Sequence, residues 1–405
     1  MVPPSPQKSI DWANLSPKQY LPLNGHIEAR FRASTGQWTA PTLVAGTEIS
    51  VSGLSPGLNY GQQCYEGLKA FRTIDGRINV FRPQFHASRI RRSAGSVCLP
   101  PPPEDLFLEC IRRAVAENAE YVPPSESDAF LYIRPVLFGA STGLWGPCDE
   151  IILAVFVHPA KPQHGADAVA GVVCDEFDRC APRGTGSFKV GGNYAPVWRH
   201  VAKAASLGYG IMLHLDSATH SFVEEFSTSG FLGHRIGEDG QHILVIPATE
   251  NAIQSTTSDS LVKIAEQAGW TIEKTRLPFS SIRDLDEVIS CGTAAAATPI
   301  KCLERPSTGE KYEFGPSYEN WKLMQLANTL TSIQRGRAED REGWCWEITG
   351  FPSQTEAGDE NAQLTSTSWS GLKWDLISPI KMLLPVAGLL GLHQGISADL
   401  RRFWK

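Results

Sequence analysis

The sequence predicts an α+β fold of two domains in which mixed sheets are flanked by helices. Three observations lead to this prediction. The chain has 405 residues, which is too long for one small domain. Apolar runs typical of strands alternate with amphipathic helical segments in both halves. A polar segment at 159–167 that contains proline and glycine separates the two halves, and we place the domain boundary there.

The predicted limits are a smaller N-terminal α/β domain at 1–160, a larger C-terminal domain at 161–348 and an appended tail at 349–405. Much of the tail is polar and poor in core residues, so we expect it to be disordered. Its apolar stretch at 382–392 has about half of the roughly 20 residues that a membrane-spanning helix needs, and Pro385 interrupts it. We therefore expect no membrane span.

In the N-terminal half, residues 1–50 are expected to be mostly loop. Asp75-Gly76 lies between two apolar runs and predicts a hairpin. The run at 150–160 is apolar almost throughout, as a strand covered on both faces would be. The other elements expected in this half are helices at 86–97 and 101–124 and a strand at 129–139.

In the C-terminal half, a glycine-rich segment at 183–194 follows the first strand and leads into a helix. Strands and helices then alternate irregularly, which favours a mixed sheet over a regular parallel one. The expected elements are strands at 168–174, 211–215, 222–226, 243–248, 271–277 and 286–300, and helices at 195–208, 258–270 and 318–336.

Composition and charge exclude several classes of protein. The formal net charge is -6 with acidic and basic residues interspersed, so no surface for nucleic acid is expected. The nine cysteines have no repeated spacing, which is typical of reduced thiols in the cytoplasm. No paired His/Cys spacing of the zinc type occurs, and we expect no metal. The N-terminus lacks the apolar core of a signal peptide.

Lys189 is the first candidate for chemistry. It lies between Gly184/Gly186 and Gly191/Gly192, which let the backbone turn tightly and approach a ligand. A phosphate-binding P-loop would need Ser or Thr after the lysine, and Val190 stands there instead. On spacing alone, a glycine loop that carries a surface lysine is the favoured interpretation.

A pair of adjacent carboxylates, Glu224 and Glu225, lies in the expected strand at 222–226. Because side chains alternate along a strand, one of the two points inward. An inward carboxylate needs a cationic or hydrogen-bonding partner. By itself, the pair is also compatible with two glutamates that flank solvent.

Six motifs follow one another along the chain: YGQQCYEGLKAFR, FRPQFHASRIRRSAG, YIRPVLF, GTGSFKVGGNY, VEEFSTS and SCGTAAAATPI. They have the order found in branched-chain aminotransferases, and over roughly residues 20–345 the chain resembles that family. Some fungal members, to which the chain is similar, serve peptide-toxin pathways. The resemblance implies a two-domain, fold type IV enzyme that uses pyridoxal 5′-phosphate, with the C-terminal domain as the cofactor-binding one.

The resemblance implies a role for each residue that matches a family motif. Lys189 is then the catalytic lysine that binds the cofactor covalently, Tyr194 contacts the cofactor's phenolic oxygen, and Glu225 faces its pyridine nitrogen. By the same resemblance Arg89 binds the phosphate. Without the resemblance, Arg89 would be interpreted as a solvated helix arginine close to Arg91 and Arg92. The remaining phosphate-site residues implied by the family are Thr256, Thr257, Gly292 and Thr293.

The implied substrate site begins with Tyr132 and Arg134, which bear on recognition of the substrate carboxylate. Arg134 lies in an apolar strand, where a structural ion pair would explain it equally well. Tyr60 and Tyr65 are candidates for the apolar side-chain pocket, although ordinary core aromatics would look the same. Ala294 completes this predicted set.

The implied reaction is transamination between an L-branched-chain or similar apolar amino acid and 2-oxoglutarate, by a homodimer. The alternatives are another fold type IV enzyme, either a D-amino-acid aminotransferase or an aminodeoxychorismate lyase, and a non-catalytic relative. Two features depart from the family. Many members have Asn near Gly230, and the redox C-x-x-C of mammalian relatives is missing at Cys291 and Cys302.

Overall fold

The structure is a computed structural model that describes residues 2–15, 21, 23–143, 148–162, 167–294 and 296–352. Within these ranges the strands form two nine-stranded sheets, with helices packed against both. The predicted α+β class is thereby confirmed. Most of the predicted tail, including its apolar stretch, lies outside the described residues.

The first sheet is antiparallel at every described pairing. The hairpin predicted at Asp75-Gly76 is confirmed, and Gly76 has a φ of 84°, which a residue without a side chain adopts readily. The strand Cys345–Glu347 pairs with the hairpin at one edge. The other strands are β1 (His26–Arg32), β2 (Gln37–Trp38), β3 (Thr42–Val44), β4 (Gln63–Tyr65), β5 (Leu68–Arg72), β6 (Ile78–Phe81), β7 (Phe130–Gly139) and β8 (Glu150–Ala160).

The expectation of loop at 1–50 was wrong for β1, β2 and β3. Ile27 and Ala29 of β1 are fully buried, and β1 pairs with β8 along its length. The charged residues that alternate with them gave the segment a polar composition. Pairing with a strand more than a hundred residues away provides the stabilisation, and local composition does not report it.

The second sheet is mixed. The strand Val169–Val173 pairs in parallel with Ile211–Leu215 and with Ala296–Arg305, and His242–Pro247 pairs in parallel with Thr271–Thr275, among antiparallel pairs. In chain order, the Cys345–Glu347 strand of the first sheet is β18. The segment at 286–300, predicted as a strand with a small-residue loop, forms two strands, and the residues described between them, Thr293 and Ala294, lie in a turn. The sequence did not predict β12 or β17. The strands of this sheet are β9 (Val169–Val173), β10 (Ile211–Leu215), β11 (Val223–Phe226), β12 (Gly230–Ile236), β13 (His242–Pro247), β14 (Thr271–Thr275), β15 (Glu287–Gly292), β16 (Ala296–Arg305) and β17 (Glu310–Glu313).

The helices cover the sheets through apolar faces that form two main cores. In the helix Glu104–Ala116, Leu106, Cys110 and Ile111 are buried on the side that the sequence predicted. No helix within the described ranges is long and apolar enough to cross a membrane. The helices are α1 (Pro56–Asn59), α2 (Pro83–Ser96), α3 (Glu104–Ala116), α4 (Trp198–Ser206), α5 (Thr256–Gln267) and α6 (Lys322–Gln334).

The first core lies between α2, α3 and the first sheet, and the second between α5, α6 and the second sheet. Phe351, near the end of the described chain, is buried in the first core. The domain limits at 160 and 348 stay predictions.

Candidate active site

The backbone of Lys189 is fixed by the first sheet and its helix. Lys189 N donates to Ser93 Oγ of α2 (3.0 Å), and Lys189 O accepts from Tyr65 N of β4 (3.1 Å). A 3-10 turn at Gly191–Asn193 follows directly. A Cβ on Gly191 would lie 2.1 Å from Gln63 Nε2, so a larger residue there would require the Gln63 side chain to move. The glycine-rich segment therefore presents one lysine at a defined position.

The Lys189 side chain lines a cavity of about 200 Å³, the main cavity, whose walls come from both sheets. Sequence-predicted residues from six separate segments meet there. They are Tyr65, Arg89, Tyr132, Arg134, Lys189, Tyr194, Glu225, Gly292, Thr293 and Ala294.

The Lys189 amine contacts two tyrosines. Its Nζ donates to Tyr194 Oη (3.1 Å) and lies 4.8 Å from the centre of the Tyr65 ring. Burial would raise the pKa of Tyr194, but the positive charges of Lys189 and Arg179 outweigh burial and lower that pKa. The phenol is therefore held as an acceptor that tolerates negative charge.

Glu225 is the member of the carboxylate pair that lines the main cavity. It is 3% exposed, forms an ion pair with Arg179, and accepts from Ile253 N (3.3 Å). Burial raises the pKa of Glu225, and the Arg179 charge opposes that rise. Glu224 points elsewhere and accepts from Asn251 Nδ2 (3.0 Å), as alternation along β11 requires.

Arg179 is a site residue that sequence reasoning missed. It is 5% exposed, lines the main cavity and also donates through Nε to Ser227 O (3.1 Å). It lies outside the glycine-rich motif, in a polar segment with no periodicity. The one available signal was indirect, since an inward Glu225 requires a cation.

Arg89 is buried rather than solvated. Its Nε and Nη2 donate to the two carboxylate oxygens of Glu66 (2.7 and 2.6 Å), and its Nη1 donates to Gln254 O (2.6 Å). His86 Nδ1 lies 2.6 Å from the same carboxylate. Burial would raise the pKa of Glu66, but Arg89 and His86 hold it far below its usual range. The guanidinium is thus fixed at the wall of the main cavity.

Thr256 and Thr257 form the first turn of α5, where Ser255 caps the helix by accepting from Ser258 N (3.1 Å). They line a second space of about 20 Å³, the side cavity. Gly292 and Thr293 line both cavities, so the side cavity adjoins the main one. The N–H groups of a first helical turn have no partner within the helix and attract anions.

Tyr132 and Arg134 lie on the same face of β7, and Arg134 Nη2 donates to Tyr132 Oη (3.0 Å). The guanidinium carbon lies 4.8 Å from the centre of the Tyr65 ring. These contacts leave most of the guanidinium donors available to a ligand in the main cavity.

Tyr60 corrects one prediction. It is 61% exposed, in the turn that ends α1, and the structure does not place it at the main cavity. Proximity to Tyr65 in sequence was misleading, because the chain turns at Gly61, which has a φ of 64°.

Gly230, the departure from the family pattern, begins β12 at the wall of the main cavity. A Cβ there would lie 2.7 Å from Ser258 Oγ. A residue as large as Asn would require the Ser258 side chain to move. Nearby, burial raises the pKa of Cys291 to about 12, so its thiol stays protonated.

The donor set of the main cavity fits a pyridoxal phosphate. An amine, a buried carboxylate, a fixed guanidinium and a helix N-terminus are the groups that an aldehyde, a pyridine nitrogen and a phosphate require. Among the described residues, no group of three or more His, Cys, Asp or Glu is placed to hold a metal ion.

Comparison with known proteins agrees with this geometry. Residues 63–303 match the family model described as amino-transferase class IV. The chain is 42% identical over 374 residues to transaminase htyB of Aspergillus rugulosus, which spans 89% of this chain and 98% of that protein. It is 44% identical over 336 residues to aminotransferase TOXF of Cochliobolus carbonum, which spans 80% and 92%.

Solved structures show the same fold at lower identity. The branched-chain amino acid aminotransferase from Escherichia coli superimposes with a TM-score of 0.64 and 22% identity, over 80% of this chain and 100% of that one. The holo-form branched-chain enzyme from Thermobaculum terrenum gives a TM-score of 0.64 and 19% identity, over 81% and 99%. The predicted fold type IV is confirmed.

Proposed function

The chain belongs to the class IV aminotransferases, and from that premise we propose that it transfers the amino group of an L-branched-chain or similar apolar amino acid to 2-oxoglutarate. The observation that carries the proposal is the meeting of the Lys189 amine and the Glu225 carboxylate in one cavity. A surface lysine or a solvated carboxylate pair would not produce that arrangement.

Class IV aminotransferases use pyridoxal 5′-phosphate, and the main cavity supplies a residue for each part of it. When bound, the cofactor withdraws electrons from the α-carbon of the amino acid. We assign its covalent attachment to Lys189, its pyridine nitrogen to Glu225 and its phenolic oxygen to Tyr194. Its phosphate is assigned to Arg89 and to the two turns formed by Thr256, Thr257, Gly292 and Thr293.

Proton transfer is assigned to Lys189 Nζ. As a free amine it accepts the proton from the substrate α-carbon, and as an ammonium it would donate that proton to the former aldehyde carbon of the cofactor within the same half-reaction. Tyr194 Oη, 3.1 Å away, holds the amine in place. The ion pair with Arg179 favours the charged form of Glu225 against the effect of burial, and that charged form would hold a proton on a ring nitrogen.

Substrate binding is assigned to Tyr132 and Arg134, with Tyr65 and Ala294 as part of the apolar surface. Arg134 offers a planar set of donors that matches a carboxylate. A specialised fungal pathway is part of the proposal, and the fungal aminotransferases that are 42% and 44% identical support it.

The test is a panel of amino donors with 2-oxoglutarate as acceptor, in which glutamate formation is measured. We expect turnover with L-Leu, L-Ile or L-Val and none with D-Leu. Turnover with D-Leu alone would indicate a D-amino-acid aminotransferase. Cofactor binding without any amino transfer would favour the lyase or the non-catalytic relative.

A homodimer is also part of the proposal. Apolar side chains on or next to α4, which follows the Lys189 segment, are exposed: Trp198 by 68%, Val201 by 40% and Leu207 by 66%. Such surface is typical of an interface. Light scattering that showed a fully active monomer would contradict this part. The cytoplasmic location stays a prediction from the sequence.

A further inference from the structure

Lys69 of β5 is a buried cation that the proposed reaction does not use. It is 5% exposed, and among the described residues its amine has neither a hydrogen-bond nor a salt-bridge partner. Its Nζ lies 4.0 Å from the centre of the Phe130 ring. A buried charge without a partner is unfavourable. Burial, together with the charge of Arg335, lowers the pKa of Lys69 to about 7.

The position of Lys69 relates it to the phosphate turns. It lines the side cavity together with Thr256, Thr257, His86 and Thr293. The volume of about 20 Å³ has room for about one water molecule. Lys69 therefore borders the same small cavity as the first turn of α5.

Arg89, His86 and Arg335, which lie near the phosphate turns, already have hydrogen-bond or ion-pair partners among the described residues. Arg89 donates to both oxygens of Glu66 and to Gln254 O, so its charge is balanced within the protein. His86 is engaged by the same carboxylate. Arg335 donates to the carbonyl oxygens of Ser127 and Asp128. A dianion at the turns would meet little net positive charge from these groups.

We propose that Lys69 is an anion-binding residue that closes the phosphate site from its inner side and balances one phosphate charge across the side cavity. This inference rests on the proposed cofactor site. A bound dianion favours the protonated form of a nearby amine, so Lys69 takes up a proton when the phosphate binds. The ring and aldehyde of the cofactor play no part in this interaction.

The test compares the wild-type apoenzyme with Lys69→Met, which keeps the length of the side chain and removes its charge. The dissociation constants of pyridoxal 5′-phosphate, pyridoxal and sulfate are measured. We expect Lys69→Met to weaken the phosphate ester and sulfate by roughly ten- to hundredfold, the usual range for a charge-assisted hydrogen bond, and to leave pyridoxal unchanged. Lys274→Met, which removes an exposed lysine of β14, is the matched control and should change none of the three.

A second measurement is made first on the wild type, so its main result does not depend on the folding of a variant. Sulfate carries no titratable proton near neutral pH. Calorimetry at pH 8 in buffers of different ionisation enthalpy should show proton uptake when sulfate binds, and Lys69→Met should abolish it. Any of three results would overturn the inference. They are equal sulfate affinity in the wild type and Lys69→Met, a loss of pyridoxal affinity in Lys69→Met equal to its loss of pyridoxal 5′-phosphate affinity, and sulfate binding to the wild type without proton uptake. None of these results would affect wild-type turnover in the donor panel, which tests the proposed function separately.

Discussion

The amine of Lys189 is surrounded by aromatic and charged groups that leave it one hydrogen-bond partner among the described residues, Tyr194 Oη. Only an uncharged amine can attack a carbonyl carbon, and a guanidinium cannot replace it. Substitution of Lys189 therefore gives the most direct test of the assigned site.

Lys189→Arg should lower transamination by several orders of magnitude while cofactor binding through the phosphate turns persists. Borohydride reduction of the wild type, followed by peptide mapping, should place the cofactor adduct on Lys189. Lys203→Arg is the matched control, because Lys203 is exposed and paired with Glu176. An adduct that mapped to Lys203 would overturn the assignment.

Glu66 carries a prediction of pH-dependent stability. Its folded-state pKa lies below the usual value of about 4.3, so its contribution is complete above that value and is lost as the pH falls below it. The difference in unfolding free energy between the wild type and Glu66→Gln should shrink below pH 4.3 by about 1.4 kcal/mol per pH unit. Urea denaturation between pH 7 and pH 3.5 measures it.

The control for this series is Glu313→Gln, which changes an exposed carboxylate whose side chain is 70% accessible. The difference in unfolding free energy between Glu313→Gln and the wild type should be small at every pH. If the difference in unfolding free energy between the wild type and Glu66→Gln stayed constant down to pH 3.5, the ion pair with Arg89 would not depress the carboxyl pKa.

Sequence motifs located most of the proposed site residues but not their partners. Lys189 and Glu225 lie within recognisable sequence motifs. Because side chains alternate between the two faces of β11, Glu225 and Glu224 point in opposite directions. Arg179, Glu66 and Lys69 were not selected, because each is defined by what surrounds it in space. A buried residue of that kind has no local spacing that marks it.

At the scale of elements, the site depends on strand ends that approach closely. β4 and β5 are joined through Glu66 and Gly67, and a Cβ on Gly67 would lie 2.1 Å from Tyr132 Oη. The phenol in turn accepts from Arg134. The absence of a side chain at Gly67 thus leaves room for the Tyr132 phenol, which contacts the proposed carboxylate-binding arginine.

Gly67→Ala should therefore displace the Tyr132 phenol and weaken binding of the substrate carboxylate. We expect kcat/KM for the best donor to fall by roughly tenfold, mainly through KM, in line with one charge-assisted hydrogen bond. Gly53→Ala is the control, because a Cβ there would have no neighbour within 4 Å. Steady-state kinetics with both variants checks this. An unchanged KM in Gly67→Ala would remove Tyr132 from substrate positioning.

The elements themselves were predicted to different extents. Of the helices with a clear apolar face, α5 and α6 were located within a few residues, whereas α3 runs from Glu104 to Ala116, inside the longer range predicted at 101–124. β1, β12 and β17 were missed, since their partners lie far along the chain or their composition is mixed. For β1, pairing with the distant strand β8, rather than intrinsic propensity, determines the strand, whereas β17 pairs with the neighbouring β16 and was missed because of its charged composition.

At the scale of the whole molecule, contacts between the two halves hold the site together. Arg335, at the end of α6, donates to Ser127 O and Asp128 O (both 2.5 Å) of the segment that precedes β7. β18 returns to pair with β6, and Phe351 follows it into the first core. The C-terminal part of the described chain therefore closes the N-terminal sheet.

This closure predicts where the chain can be shortened. Residues that line the main cavity lie between 65 and 294, and the last buried side chain of the described part is Phe351, at 3% exposure. A chain of residues 1–352 should keep the thermal stability and activity of the full chain. A chain of residues 1–348 should be less stable by about 3–5 kcal/mol, because it loses a buried phenylalanine. It also loses the bond from Arg112 to Thr349 O (2.7 Å).

The matched control is Phe351→Ala in the 1–352 chain, which removes the ring and keeps the backbone contact with Arg112. If burial of Phe351 dominates, this variant should reproduce most of the loss seen at 1–348, as measured by denaturant unfolding. Equal stability of the 1–348 and 1–352 chains would show that Phe351 does not support the first core. Loss of activity or solubility at 1–352 would show instead that residues beyond 352 contribute to the enzyme.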